Sequence, residues 1–182
     1  MKTVNIVICL LTVLLSGCEP TVKSLRPLYT EGDIIFDEAL IGKWTNGDTE
    51  RWKFERHEDD KYKLTIVEAF SNTKGRFIAH LVELDNTRFL DVFPDPSQLE
   101  GSGFYKQHLL PTHTFMKVRQ IEPKLQLRMM GDKVCEMLEN DPNLLRSERL
   151  EETFLIISPT EQLQEFVVKY ADANDVFEEL LI

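Results

Sequence analysis

The side chains that could perform acid–base or metal chemistry are few, and they are scattered along the sequence. The four histidines are His57, His80, His108 and His113. None of them has the His-x3-His or His-Glu-x2-His spacing that brings two imidazoles to one metal ion on a helix. We therefore predict no metal site, because a mononuclear site needs three or four such groups to converge.

Asp91 is the one acidic residue in the strongly apolar run 89–93. Alternation along a strand predicts that its side chain points to solvent. The alternative is that Asp91 lines a pocket together with His80 on a neighbouring strand. In that case, the residues predicted to line a ligand pocket are Trp44, His80, Asp91 and His113.

The common catalytic and nucleotide-binding motifs do not occur in the sequence. Ser102 lies between Gly101 and Gly103, a composition typical of a flexible loop, and no Gly-x-Ser-x-Gly sequence is present. There is no phosphate-binding loop and no dinucleotide fingerprint. We therefore predict that the protein is not an enzyme, with no catalytic residues and no cofactor.

The clearest chemistry in the sequence belongs to Cys18. Lys2 precedes an apolar run from Val4 to Leu15, and Ser16, Gly17 and Cys18 follow. The run is too short for a bilayer core, which needs about 20 residues, but it is typical of an export signal. Leu-Ser-Gly-Cys resembles the lipobox of bacterial lipoproteins. The resemblance implies that the Cys18 thiol receives a diacylglycerol and that the chain is cut before this residue.

The lipoprotein resemblance also implies how the chain is divided. Residues 1–17 would be a signal peptide, residues 18–30 a lipidated tether, and residues 31–182 a single β-rich domain. The apolar part of the tether, Leu25 to Tyr29, is expected to dock on that domain. Glu19, rather than an aspartate, follows the cysteine. In a Gram-negative source, the resemblance therefore implies an outer-membrane protein that faces the periplasm.

The composition limits the partners of the protein. The formal net charge of the 182-residue chain is −10, and such a surface repels nucleic acid and anionic head groups at long range. We predict no nucleic-acid partner, and membrane attachment through the lipid rather than through a basic patch. Cys135 would be the one cysteine left unmodified, so we expect no internal disulfide and a buried Cys135.

Strand periodicity dominates the chain after residue 42. Apolar and polar residues alternate, with short polar turns between the alternating runs. Strands are predicted at residues 50–56, 61–66, 76–84, 88–93, 112–121, 124–130 and 152–158, with a strand or lid segment at 104–110. We predict a mainly β, β-rich α+β fold: an antiparallel meander of about eight or nine strands. Such a meander closes into a barrel or stacks as two sheets.

Two short helices are predicted near the C-terminus. Asp132 can cap the first helix, which would run to about Glu139. Ser158 and Glu161 can form a capping box for the second helix, with Pro159 at its first position. Residues 176–180 are predicted to form a further turn that packs on the domain.

The start of the first predicted strand carries a second resemblance. Gly42 and Trp44 resemble the Gly-x-Trp opening of lipocalin-type barrels, in which the Trp lies at the closed end, often beside an arginine. The resemblance implies Arg128, Arg146 or Arg149 as that arginine. The mature domain also resembles bacterial lipoproteins of uncharacterised activity. The expected architecture is therefore a lipocalin-like barrel or half-barrel.

Two functions fit these expectations. The first is a lipid-anchored cell-envelope protein that binds a small apolar or amphipathic ligand in the barrel. The alternative is a structural or assembly lipoprotein with a solid core and a protein partner. That protein would carry an exposed apolar patch, at Leu25 to Tyr29 or on the C-terminal helix.

Overall fold

The structure is a computed structural model that describes residues 21–46, 49–173 and 175–181. The predicted signal peptide, residues 1–17, and the predicted lipidation site, Cys18, lie outside the described residues. No helix in the described part of the chain is long and apolar enough to cross a membrane.

The elements are mostly strands, as predicted. The strands are β1 (Thr21–Ser24), β2 (Ile34–Ile35), β3 (Gly42–Asn46), β4 (Glu50–His57), β5 (Lys61–Glu68), β6 (Lys74–Leu84), β7 (Thr87–Pro94), β8 (Thr114–Gln120), β9 (Gln126–Met130), β10 (Ser147–Leu150), β11 (Thr153–Ile156) and β12 (Phe177–Leu181). The helices are α1 (Gly103–Lys106), α2 (Asp132–Asn140) and α3 (Thr160–Lys169). The predicted mainly β fold with short helices is confirmed.

The main sheet is a curled antiparallel half-barrel with the strand order β12-β9-β8-β7-β6-β5-β4-β3. From β3 to β9, strands adjacent in the sheet are also adjacent in the sequence, so the sheet is the predicted meander. Within the described residues, β3 and β12 do not pair with each other. The sheet is therefore open between these two strands.

The inner face of the half-barrel is a packed hydrophobic core. One cluster joins side chains from both ends of the sheet, including Trp52 on β4 and Leu127 on β9. Only the concave side of a curled sheet brings such distant strands together. Tyr62 and Leu64 on β5 are fully buried there. A short 3-10 helix, Glu38–Leu40, adds the fully buried Leu40 to this core.

The outer face carries a second core over only part of the sheet. A small sheet with the order β1-β11-β10 and the helices α2 and α3 cover the outer side of β6 to β9 and β12. Phe89 on β7 and Phe177 on β12 lie in this core with their ring centroids 5.9 Å apart. The outer side of β3 to β5 carries alternating polar residues, which are exposed or half-buried.

The segment before β3 belongs to the folded domain from residue 21 onwards. β1 pairs in parallel with β11, so the structure does not show the predicted tether as a separate segment up to residue 30. Leu28 is fully buried, and the predicted docking of residues 25–29 is confirmed. Residues 21–30, which were predicted to belong to a tether, are part of the domain because their apolar and β-branched residues pack on its outer face.

Several local predictions are wrong. Of the two alternatives for residues 104–110, a strand or a lid segment, the strand is wrong, because α1 and a turn occupy this region. Residues 177–181 form β12 rather than a turn, and this strand satisfies the hydrogen-bonding groups of β9 at the sheet edge. Asp132 was predicted to cap α2, but it is the first residue of this helix, and the N-cap residue is Gly131. The Oγ of Ser158 accepts the Arg146 N–H at 2.8 Å and does not cap α3.

Candidate functional site

Asp91 is fully buried, and the prediction that it points to solvent is wrong. It lies in the middle of β7 on the outer face, where the segment before β2 covers it. Its Oδ2 accepts the backbone N–H of Leu28 at 2.8 Å. Its Oδ1 lies 2.7 Å from Nδ1 of His113, just before β8. One carboxylate therefore joins the N-terminal segment to β7 and β8.

His80 lies directly across from Asp91 in the pairing of β6 with β7. Residues opposite each other in an antiparallel pair share a face, so His80 and Asp91 lie together, and His113 contacts Asp91. His80 and His113 border a cleft on this face, but the fully buried Asp91 does not, so the prediction that Asp91 itself lines a pocket is wrong. The Tyr29 ring packs on His80 with centroids 4.3 Å apart. His80 is 5 % exposed, and its Nδ1 is buried without a hydrogen-bond partner among the described residues.

Two ionisable groups of this cluster, His80 and Tyr29, favour their uncharged forms. Burial lowers the pKa of the His80 imidazole below its usual value, and the negative charge of Asp91 opposes this effect. Burial also raises the pKa of Tyr29 to about 12, and Asp91 adds to that increase. At neutral pH, the His80 imidazole and the Tyr29 phenol are therefore both uncharged.

A cleft of about 660 Å³ opens above these residues. It lies between Pro27 and Tyr29 on one side, and β5, β6 and the residues after β7 on the other. Its apolar wall includes Ile78 and Phe93, and Lys63, which pairs with Ile78, also borders it. This volume lies in the range of small-molecule sites, about 300–1,000 Å³.

The position of the cleft differs from the expected one. A ligand was expected inside the barrel, but the inside is the packed core described above, and the cleft lies on the outer face. Trp44 is on β3 at the far end of the sheet and does not line the cleft. Its Nε1 donates to the Leu40 carbonyl at 3.0 Å. Trp44 is therefore a structural residue of the inner core.

The predicted arginine beside Trp44 is not supported. Arg128 lies on β9, Arg149 on β10 and Arg146 just before β10, and neither strand pairs with β3 among the described residues. The guanidinium at the end of the inner core is that of Arg56, which lies 3.9 Å over the Phe36 ring. Phe36 in turn stacks on Tyr62 with centroids 4.6 Å apart.

The Asp91–His113 pair can in principle orient an imidazole as a general base. Ser97 borders the same cleft, but its hydroxyl oxygen accepts from Gln98 Nε2 at 2.9 Å. Among the described residues, no hydrogen bond joins this hydroxyl to His113. The hydrogen bonds of Asp91 instead join three buried segments: the N-terminal segment at Leu28, β7, and the residues just before β8 at His113.

The other reactive residues lie apart from the cluster. His108 Nδ1 contacts the Phe104 carbonyl at 2.8 Å. Cys135 is 4 % exposed, as predicted, and burial raises the pKa of its thiol to about 11. Within residues 21–46, 49–173 and 175–181, no three His, Cys, Asp or Glu side chains are placed to hold a metal ion.

Sequence reasoning missed the cleft residues Tyr29, Lys63 and Phe93. Tyr29 belongs to residues 25–29, which were predicted to dock on the domain. That prediction did not identify His80 as the residue that the Tyr29 ring contacts. The register of β5 with β6, in which Lys63 pairs with Ile78, would have placed Lys63 there.

No protein-family model matches the chain, and no curated protein or solved structure shows significant similarity to it.

Proposed function

We propose that this protein is a lipid-anchored cell-envelope protein that holds a small amphipathic ligand in the cleft above His80, Asp91 and His113. The observation that carries the proposal is the buried Nδ1 of His80, which has no partner among the described residues. Leaving such a group unsatisfied costs about 1–3 kcal/mol. A ligand atom that bonded this nitrogen would recover that free energy, and it would reach the nitrogen by displacing the Tyr29 ring that packs on the imidazole.

The walls of the cleft fit the apolar part of such a ligand. Tyr29, Ile78 and Phe93 line it, and Phe93 also packs on His113 with centroids 4.4 Å apart. Aromatic and aliphatic walls around a few polar groups are the usual composition of small-molecule sites.

The polar end of the ligand is matched by a lysine. Lys63 borders the cleft, and it forms no ion pair with a carboxylate in the part of the chain that the structure describes. Lys61, by contrast, is paired with Glu58 at 2.7 Å. Two carboxylates also border the cleft, Glu58, which is paired with Lys61, and Asp95. The carboxylate or phosphate head group of the ligand is therefore expected beside Lys63 and His80, and its hydrocarbon or ring is expected on the aromatic wall.

The ligand proposal predicts a bound mass. The full protein, purified with its lipid from its source organism, is expected to keep a compound of a few hundred daltons in native mass spectrometry. Lys63→Glu is expected to lower its occupancy at least about tenfold, because the head group then faces a like charge and loses about 1.4 kcal/mol or more. The matched control, Lys124→Glu, changes an exposed lysine outside the cleft. Equal occupancy in both variants would contradict the proposal, as would wild-type protein that carries no compound.

The anchor proposal predicts a second result. Cys18→Ala is expected to abolish incorporation of radiolabelled palmitate and to release the protein from the membrane fraction, because the acylated thiol is lost. The control is Cys135→Ala, which removes a buried cysteine and should leave labelling unchanged. If Cys18→Ala is labelled as strongly as wild type, the anchor is not at this residue.

A further inference from the structure

The exposed apolar side chains are concentrated at one edge of the half-barrel. In an antiparallel meander, alternate connections lie at the same edge. The β5–β6 and β7–β8 connections therefore lie together, at the edge where β9 also ends. Of the six large hydrophobic residues that are exposed among the described residues, five lie in these two connections. They are Phe70, Phe104, Tyr105, Leu109 and Leu110.

The exposure of these residues is large. Phe70 is 89 % exposed, Phe104 is 75 % exposed and Leu110 is 65 % exposed. We call the two connections, residues 69–73 and 95–113, the apolar edge. Clustered exposed apolar side chains mark a surface that is covered by a partner or by a membrane.

The N-terminal segment enters the domain at the same edge. Ser24 forms a bridge with His113, just before β8 begins. Thr21 borders a surface hollow together with Thr114 and Met130, where β8 begins and β9 ends. Three peptide steps separate Cys18 from Thr21, and they span at most about 10 Å when fully extended. A lipid on Cys18 would thus hold the apolar edge next to the bilayer.

The outer face beside this edge is basic, although the whole chain carries a net charge of −10. Its cations surround one surface groove on β3 to β6: Lys43, Arg51, Lys53, Lys63, Lys74 and Arg76. Glu55 is the one carboxylate that borders this groove. By alternation, Glu50 and Glu68 point to the inner side of the sheet.

The register brings like charges together in this basic face. Lys43 pairs directly with Lys53 across β3 and β4, an arrangement that is unfavourable without counter-ions. Glu55 pairs with Lys53 at 2.7 Å. Arg51 and Lys74 lie closest to the apolar edge, because β4 begins at residue 50 and β6 at residue 74. These two cations thus lie at the end of the sheet from which the connection that carries Phe70 extends.

We infer that the apolar edge inserts into the interface of a bilayer while the basic face contacts its anionic phospholipid head groups. Aromatic rings are favoured at the bilayer interface, and each lysine or arginine near an anionic surface contributes about 1 kcal/mol. The inference rests on the proposed lipid anchor for its orientation. A gap of about 10 Å from Cys18 to Thr21 leaves no room for a folded partner protein between the edge and the membrane.

The test places fluorophores on the full protein, purified with its lipid and reconstituted in vesicles of phosphatidylcholine and phosphatidylglycerol. A polarity-sensitive dye is attached at Phe104→Cys, with Cys135→Ala to prevent labelling at the buried thiol. The matched control carries the dye at Asp59→Cys, in the turn between β4 and β5 at the opposite edge. The dye at residue 104 is expected to shift to the blue and to be quenched by brominated lipids, whereas the dye at residue 59 is not.

The contribution of the basic face is measured in the same vesicles. Arg51→Glu combined with Lys74→Glu is expected to reduce quenching at residue 104 about fivefold or more at low salt. Arg119→Glu combined with Lys124→Glu, at the opposite edge, is expected to leave it unchanged. Equal effects of the two pairs would contradict the assignment of the basic face.

Mass spectrometry of Cys18 in the same sample separates this inference from the anchor proposal. If Cys18 is acylated but the dye at residue 104 remains in water, the anchor proposal stands. The inference that the apolar edge faces the membrane is then overturned, in favour of a protein partner. Unmodified Cys18 together with a dye in lipid would support the edge and overturn the anchor.

Discussion

Replacing Asp91 with alanine is expected to lower the free energy of unfolding by roughly 3–5 kcal/mol, the range for breaking a buried charged contact. The carboxylate accepts the Leu28 N–H and contacts Nδ1 of His113, and all of these groups are buried. Alanine would leave the buried Leu28 amide and the largely buried His113 imidazole without this partner. The measurement is urea unfolding followed by tryptophan fluorescence.

Two further variants make this prediction specific. Asp91→Asn keeps an oxygen for the Leu28 N–H and can donate to His113, so its expected loss is smaller, about 1–2 kcal/mol. Asp59→Ala removes an exposed carboxylate from a turn and is expected to change stability by less than about 0.5 kcal/mol. A similar loss for Asp91→Ala and Asp59→Ala would show that the buried junction does not stabilise the fold.

Replacing Leu40 with alanine is expected to lower the free energy of unfolding by about 2–5 kcal/mol. Leu40 is fully buried in the inner core, and the 3-10 helix that carries it covers the end of the half-barrel near Tyr62. The Tyr62 hydroxyl holds this helix in place, because it accepts the Asp37 N–H at 2.7 Å. The truncated side chain would leave a cavity that the rigid sheet cannot fill.

The matched control for Leu40 is Leu150→Ala. Leu150 lies on β10 and is 55 % exposed, so its truncation removes little buried area and is expected to cost less than about 0.5 kcal/mol. Thermal or urea unfolding of both variants measures the difference. If the two variants lose the same stability, residues 38–40 do not cover the inner core.

Strands with clear alternation were predictable from the sequence, and strands without it were not. β4 and β5 place Trp52 and Tyr62 on the inner side as their periodicity indicates. β12 was mistaken for a turn, because its run of five residues has no clear alternation and acquires its conformation from pairing with β9. The predicted cap at Ser158 failed for a similar reason, since a distant backbone amide at Arg146 takes its hydroxyl.

The cluster around Asp91 was predictable only as one of two alternatives. Alternation shows that Asp91 and Leu90 lie on opposite faces, but it does not reveal that both faces are covered. The segment before β2 covers the outer face at this point, and its position depends on contacts more than 60 residues away in sequence, such as Leu28 with Asp91. The pocket therefore lies outside the half-barrel and not within it.

The sequence by itself determined the strand periodicity, the meander of short connections and the acidic total charge, because each depends on residue types or on near neighbours. The tertiary structure decided which faces are covered and where charge collects. A net charge of −10 is a sum over the chain, whereas the pairing of β3 to β6 brings basic residues from four strands to one face. The physical reason is strand register, which decides which charged residues become neighbours. The net charge of the chain carries no information about neighbours.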